Sequence, residues 1–405
     1  MLRNWAGNVT YSTGRVLRPR TVEEAQELVA GEERIRPLGT RHSFSRVADS
    51  PDALLSTEHL TGIVEIGEGS VTVEAGIRYG ELVRALDERG LALRNLASLP
   101  HISVGGAIAT GTHGSGVHNP TLSDAVSAID LVTATGAIVT LRRGEPGFDG
   151  AVVALGALGL AARVTLDAVP AFDVRQHVFD LLPWSAVESG LDEILAGAYS
   201  VSLFTTWADA GVEQVWVKTT AALDPEAGWF GAVPARSPRN PVPGSPPGNC
   251  TEQLGVPGPA GERLPHFRLG FTPSGGDELQ TEYVVAREHG LDVVRALRRL
   301  GPAITPLLLI SEIRTIAADT LWLSPCYERD GIAFHFTWKP LEAEVLALLP
   351  RIEAALAPFD ARPHWGKLFL EAPAHPKLDA FRELRARFDP GGKFLNDFVR
   401  AQLGM

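Results

Sequence analysis

From Ala97 to Gly116 the chain reads ASLPHISVGGAIATGTHGSG, with five glycines at 105, 106, 111, 114 and 116. That density is too high for an ordinary core. Glycine is used where backbone must turn tightly or come close to a ligand. Interleaved Ser98, Ser103, Thr110, Thr112 and Ser115 add short hydroxyls. Successive main-chain N–H groups in such a stretch form a concavity that suits a phosphate without any Lys or Arg. A tight small-residue loop between packed elements is the plain alternative, and composition alone favours neither.

The rest of the chain removes many other chemistries. No G-x-G-x-x-G opens a helix, and the P-loop, H-E-x-x-H and G-x-S-x-G patterns are missing. The histidines lack metal spacing, so no metal site is expected. A net charge of -11 argues against a nucleic-acid partner. Cys250 and Cys326 are the only cysteines, which excludes a disulfide framework and fits a reducing cytosol. The N-terminal MLRNWAGNVTYSTG has no apolar h-region, and the longest apolar run, Ala151 to Ala162, is short for a membrane span. The expectation is a cytoplasmic protein without a membrane partner. At 405 residues it has room for two or three domains.

Thr21 and Glu24 form a capping-box pattern for a helix over TVEEAQELVAG. RIRPLG, VTVEAG and LALRNL read as strands, and YGELVRALDERG as an amphipathic helix. AIDLVTATGAIVTL predicts two strands around Thr135-Gly136, and AVVALGALGLAARVTLDAV a buried helix turning into a strand at Gly159. Alternating helices and strands make the first ~170 residues a mixed α/β unit. Beyond Pro170, VRQHVFDLL, YSVSLFTTW and EQVWVKTT are strand-like around a helical SAVESGLDEILAG. The Pro/Gly-rich stretch from Ala232 to Gly261 reads as a long surface loop. DELQTEYVVA, LLLISEIRTIA and IAFHFTWKP read as strands of one sheet, followed by a helix over LEAEVLALLPRIEAAL.

Four short segments carry candidate chemistry. In PLGTRHSFS (Pro37 to Ser45), His42 offers an imidazole nitrogen as ligand, base or nucleophile, or else a bonded structural group. In SEIRT, Glu312 and Arg314 are two apart on a strand and so share one face. An exposed ion pair is the ordinary reading of E-x-R, but apolar residues on either side make an exposed face less natural. His335 and Thr337 in AFHFTWKP alternate onto one face in the same way, and HWGK places Lys367 beside His364 and Trp365.

PLGTRHSFS followed by the glycine-rich stretch resembles the vanillyl-alcohol-oxidase-type FAD flavoproteins, and among them the alditol oxidases, then the sugar-lactone oxidases. NWAGN from Asn4, GALG from Gly156, CTEQLGVPGP from Cys250 and DPGGKFLN from Asp389 extend the likeness along nearly the whole chain. The resemblance implies an α+β fold: a two-part FAD-binding domain (residues 1–171 and the return at 368–405) with a β-sheet-based substrate cap (172–367). It implies FAD covalently bound through His42 to the flavin 8α-methyl, a link that makes the flavin a stronger oxidant. Some relatives add a cysteinyl link, but the glycine-rich stretch has no cysteine, so one link is expected. The implied cofactor contacts are Pro37, Leu38, Gly39, Thr40, Arg41, His42, Ser43, Ser98, Ser103, Gly106, Thr110, Gly111, Thr112, His113 and Ala161.

On the substrate side the resemblance implies that Ser98, Glu312, Arg314, Thr337 and Lys367 bind a polyol such as xylitol or sorbitol. Arg314 would hold negative charge on the reduced flavin. Lys367 and His335 are both candidates to assist loss of the hydroxyl proton, without a ranking between them. The implied reaction oxidises a terminal primary hydroxyl to the aldose and returns electrons to O2 as hydrogen peroxide, in a monomer. A sugar-1,4-lactone oxidase or dehydrogenase shares these motifs, and a non-catalytic FAD- or sugar-binding flavoprotein is the alternative of another class.

Overall fold

A computed structural model describes residues 1–271 and 278–405. Helix α1 (Val22–Gly31) begins where Thr21 Oγ1 accepts from Glu24 N at 3.2 Å, satisfying one of the orphan donors of the first turn. Glu24 reaches one residue further back than a capping box would, accepting from Arg20 N at 2.6 Å. Strands β1 (Val16–Leu17), β2 (Ile35–Leu38) and β3 (Ala53–Ser56) form a parallel sheet in the order β1-β3-β2. Val22, Ala25 and Val29 of α1 pack on Ile35, Ala53 and Leu55. The loop PLGTRHSFS leaves the carboxyl end of β2, the end at which parallel α/β sheets place ligands.

A second sheet is antiparallel, built from β4 (Ile63–Ile66), β5 (Ser70–Glu74), β6 (Val126–Val132), β7 (Ile138–Arg142) and β8 (Leu160–Asp167), in the order β4-β5-β8-β6-β7. Burial alternates residue by residue along β8, with Leu160, Ala162, Val164 and Leu166 inward. Helices α2 (Tyr79–Asp87) and α3 (Val104–Ala109) lie between β5 and β6, the latter cut from the glycine-rich stretch.

Two sequence expectations fail here. Of LALRNL, only Leu91–Ala92 is strand, paired with Val169–Pro170. The buried helix expected over residues 151–158 is absent: helix is confined to Phe148–Ala151, and Leu155 (φ 53°) and Gly156 (φ 67°) turn the chain instead. A short apolar run does not distinguish a helix from a buried turn. Arg36 supplies the physical reason. Its guanidinium, 2 % exposed, donates to Leu155 O at 2.6 Å and Gly156 O at 3.1 Å, and also to Val47 O and Phe394 O.

The largest sheet comprises nine strands among the described residues. Its six long members are β9 (Asp173–Leu182), β10 (Ser200–Thr205), β11 (Val212–Thr219), β12 (Leu279–Ala286), β13 (Leu308–Ile316) and β14 (Gly331–Trp338). They run antiparallel in the order β9-β11-β10-β13-β14-β12. The expected strand before Tyr283 opened at Asp277, which lies outside the described residues. Alternate residues Val285, Ile313, Phe334 and Phe336 face a core closed by α4 (Trp184–Ala196), α5 (Gly290–Ile304) and α6 (Glu342–Leu356). The opposite face of β12, β13 and β14 turns toward the first half of the chain.

Helices α7 (Leu378–Phe388) and α8 (Asp397–Leu403) return to that first half. Phe381, Leu384, Val399 and Leu403 share an apolar cluster with Val71, Val164 and Leu166.

The Pro/Gly-rich stretch lies at the surface only in part: Val233, Leu254 and Val256 are exposed, but other parts of it run inside. Asn240, Cys250, Thr251 and Gln253 are buried. Gln214 donates to Asn240 O at 2.9 Å, and Gln176 to Glu252 O at 3.2 Å. Proline and glycine mark irregular backbone, and irregular backbone is tolerated inside once side chains satisfy its polar groups.

Candidate active site

A cavity of about 470 Å³ separates the sheet face from the first half of the chain. One wall is loop. Among the described residues, none accepts from the N–H groups of Thr40, Arg41, His42 or Ser43. Gly39 sits so close to the glycine-rich stretch that a Cβ there would fall 2.6 Å from Ser103 Oγ. Ser103 N in turn donates to Thr40 Oγ1 at 3.2 Å, which ties the two loops together. Arg41 is held at φ 63°, unfavourable for a residue with a Cβ, and its carbonyl accepts from Trp5 N at 2.8 Å. Trp5 also stacks on His42, ring centroids 5.4 Å apart. His42 Nδ1 is buried and has no hydrogen-bond partner among the described residues. Burial, with help from the nearby His101 and Lys367, pushes the His42 pKa down to about 4, so the ring is neutral near pH 7. Ile129, Leu131, Val152, Leu158 and Leu160 give this wall an apolar flank.

These features are what an FAD requires: free main-chain donors for phosphates, close backbone approach, an apolar flank and an unengaged neutral imidazole nitrogen. The sequence-derived cofactor residues from Pro37 to Ser43, with Ser98, Ser103, Gly106, Thr110, Thr112, His113 and Ala161, all line the cavity. Gly111 does not. It stands at φ 65° facing Pro325 Cδ, so it serves a turn behind the wall.

The other wall is sheet. Three adjacent strands each present a pair of residues two apart: Gln280 and Glu282 from β12, Glu312 and Arg314 from β13, His335 and Thr337 from β14. The register sets Glu282, His335 and Glu312 side by side in one row. All six are buried, and their charges are paired. Arg314 binds Glu282 at 2.9 Å, lies 3.4 Å from Glu312 and donates to Ser98 Oγ at 3.1 Å. His113 Nε2 lies 3.3 Å from Glu282. Burial alone would raise both carboxyls. For Glu282 the neighbouring His113 and Arg314 outweigh it, and for Glu312 Arg314 and His266 do, so both are held well below the usual carboxylate range.

Lys367 approaches from the segment after Arg362–Pro363, and its Nζ donates to Gln280 Oε1, the oxygen that also lies 3.1 Å from His335 Nε2. Burial lowers Lys367 to about 8 and His335 to about 3, partly offset in each case by Glu282. Every substrate-side residue read from the sequence therefore meets at this one cavity.

The sequence reading missed Gln280, Glu282 and His266. A signal for the first two was present: Q-x-E in LQTEYVVA repeats the spacing of E-x-R and H-x-T. His266 lay just past the proline-rich stretch read as a surface loop, yet its Nε2 is 2.9 Å from Glu312 Oε1. No group of three or more potential metal ligands occurs among the described residues, and no helix there is long and apolar enough to cross a membrane.

Residues 14–142, which hold His42 and the glycine-rich stretch, match a family described as FAD binding domain. Residues 277–402, which hold the sheet wall and Lys367, match D-arabinono-1,4-lactone oxidase. Over 408 residues the chain is 47% identical to the alditol oxidase of Streptomyces sp. (strain IKD472 / FERM P-14339), covering 98% of this chain and 97% of that one. The chain belongs to the alditol oxidase family. Lactone enzymes are more distant relatives of this alditol oxidase family member. The L-gulono-1,4-lactone dehydrogenase of Mycobacterium tuberculosis (strain ATCC 25618 / H37Rv) is 28% identical, over 99% of this chain and 98% of that one. The solved cholesterol oxidase from B. sterolicum has 17% sequence identity and a TM-score of 0.77, with 99% of this chain and 96% of that one covered, which shows a shared fold. The α+β architecture is thus that of an FAD-binding flavoprotein with a sheet-rich second part.

Proposed function

We propose that the protein is an FAD-dependent oxidase of alditols such as xylitol and sorbitol, converting the terminal primary hydroxyl to the aldose. The observation that carries this reading is the convergence of Glu312, Arg314, Thr337 and Lys367 on the cavity that the His42 loop also lines. Residues 1–171 and 368–405 hold the cofactor in this reading, and residues 172–367 cap the substrate. His42 carries FAD covalently through its unengaged nitrogen.

FAD, when bound, would supply the two-electron oxidant for loss of hydride from the alcohol carbon, with O2 as the final acceptor and hydrogen peroxide as its product. Glu312, kept ionised by Arg314, accepts hydrogen bonds from substrate hydroxyls, with Thr337 and Ser98 beside it. A polyol analogue lacking one hydroxyl leaves a buried polar group unpaired and is rejected strongly. Lys367 is the better base of the two candidates: about 8 lies near working pH, whereas a histidine at about 3 holds protons weakly. The Lys367 amine takes the hydroxyl proton as the carbon loses hydride. Arg314 keeps positive charge close to where the cofactor gains negative charge. The enzyme acts in this reading as a cytoplasmic monomer, with Cys250 and Cys326 free and buried.

A sugar-1,4-lactone oxidase is the second reading, favoured by the family match over residues 277–402. The test mixes the yellow protein with sorbitol, xylitol or L-galactono-1,4-lactone in the absence of oxygen. Bleaching of the flavin band by the polyols, then recolouring with peroxide in air, is the expected result. Bleaching by the lactone alone selects the second reading, and no bleaching at all leaves a flavoprotein without this chemistry. Flavin that stays with denatured wild-type protein but leaves denatured His42→Ala protein establishes the link.

A further inference from the structure

We propose that Lys218 and His266 are positioning residues for Glu312, fixing which imidazole nitrogen carries the proton so that an N–H is always offered to that carboxylate. This deepens the polyol reading of the same site and rests on it.

The geometry is a buried relay running in from the Pro/Gly-rich side of the sheet. Lys218 Nζ donates to Leu264 O and lies 3.0 Å from His266 Nδ1. His266 Nε2 lies 2.9 Å from Glu312 Oε1. Lys218 and His266 are 1 % and 4 % exposed. Burial lowers Lys218 to about 7, yet as ammonium or as amine it has N–H groups to give, while the ionised Glu312 can only accept from Nε2, so Nδ1 is the nitrogen left to accept from Lys218. A neutral imidazole carries one N–H, which is then left on Nε2 and aimed at the carboxylate. The opposite tautomer would set a lone pair against a carboxylate oxygen. Phe204 and Trp216 hold the ring edge-on at 5.5 and 5.2 Å, so it cannot turn away without repacking.

The relay also explains a feature that would otherwise be costly. A fully buried lysine with no carboxylate in contact among the described residues is less stable than an apolar residue of similar size, unless its hydrogen bonds matter. Gln214, Trp216 and Lys218 project from the same face of β11, and the residues 240–267 pack along that face. That segment therefore delivers His266 to the substrate wall. With Glu312 Oε1 engaged by His266 and Oε2 near Arg314, each oxygen keeps one further lone pair for a hydroxyl. The carboxylate is held with its remaining acceptor sites in fixed directions, which suits a substrate carrying hydroxyls on neighbouring carbons.

The experiment compares His266→Leu, His266→Gln and Lys218→Met with wild type by rapid mixing with xylitol in the absence of oxygen. Flavin reduction yields a dissociation constant and a limiting rate separately, and 15N NMR reads the protonated nitrogen of His266. His266→Leu is expected to raise the dissociation constant by ~10-fold or more with a limiting rate within ~3-fold of wild type, the signature of lost uniform binding. His266→Gln, whose side-chain N–H reaches the same carboxylate, recovers most of that loss. Lys218→Met shifts the proton partly to Nδ1 and weakens binding by ~3-fold, in line with one modest hydrogen bond. An unchanged dissociation constant in His266→Leu, equal losses in Leu and Gln, or an Nδ1 proton in wild type overturns the relay. If His266→Leu fails to fold, the Gln variant and the NMR of Lys218→Met decide. Wild-type protein that no polyol reduces refutes the polyol reading instead, while the NMR result still judges the tautomer.

Discussion

The loops at residues 37–43 and 98–113 meet the cavity with main-chain N–H groups and short side chains, whereas β12, β13 and β14 meet it with carboxylates, a guanidinium, a histidine and a threonine. The first wall takes its chemistry from conformation: Gly39 against Ser103, Arg41 in a left-handed turn, Trp5 stacked on His42. The second takes it from side chains that the pleat aims across a buried face, with Glu282 and Glu312 paired to Arg314 and His335 held by Gln280. Apart from proline, no substitution deletes a backbone donor, so beyond the His42 side chain the loop wall changes chiefly when its path changes. The sheet wall can be altered one group at a time. The expected division is that loop variants disturb the cofactor and sheet variants disturb the substrate.

The largest effect is expected from Lys367→Met: flavin reduction by xylitol slows by ~10²–10⁴-fold, the range for removal of a general base, while flavin content stays unchanged. In wild type the same rate rises with pH through about 8 as the amine loses its proton, and the variant's profile is flat in that window. A Lys367→Met protein that loses flavin instead would break the division between the walls. Glu282→Leu comes next, because it leaves Arg314 buried with a weaker partner at 3.4 Å. The cost is about 3–5 kcal/mol in denaturant unfolding at pH 7. Glu282 is held well below its ordinary range because His113 and Arg314 outweigh its burial. Its contribution is therefore present above the unfolded carboxylate value and lost as pH falls through the folded one, so the gap between variant and wild type narrows in acid.

Gly39→Ala tests the loop wall. The new Cβ meets Ser103 Oγ at 2.6 Å and other atoms only from 3.7 Å, which costs about 1–3 kcal/mol of overpacking and lowers flavin content. Adding Ser103→Ala removes the clash and restores flavin, and a double variant no better than the single places the fault elsewhere. The smallest effect is Thr337→Val, about 0.5–1.5 kcal/mol in xylitol binding with flavin untouched, as for one neutral hydrogen bond.

The legibility of the sequence follows the same division. Glycines, prolines and the His42 loop announce the first wall because a backbone site leaves composition as its trace. Glu312–Arg314 were readable because charge on an apolar strand is out of place, and His335–Thr337 because they alternate onto one face in a segment whose role the resemblance implied. Glu282 sits in LQTEYVVA and passes for an ordinary solvated strand residue until β14 is laid beside it. His266 and Lys218 are 48 residues apart, and no local pattern records that the intervening chain folds back on β11. The missing helix at residues 151–158 failed for a related reason: it is displaced by hydrogen bonds from Arg36, more than a hundred residues earlier.

Arg36 has a consequence in time as well as in space. One guanidinium joins β2, the turn at Leu155–Gly156 and Phe394, the last of them separated from Arg36 by 358 residues. Ile35 N, beside it, donates to Lys393 O at 3.1 Å. Contacts of such separation form late, because closure of the intervening chain precedes any reward. As the chain is synthesised, the parallel sheet, its loop and the glycine-rich stretch all leave the ribosome long before the residues that pin them. The flavin cradle is completed only when residues 393–394 arrive, so a ribosome-bound chain halted before them would take up flavin poorly, whatever its other parts have achieved.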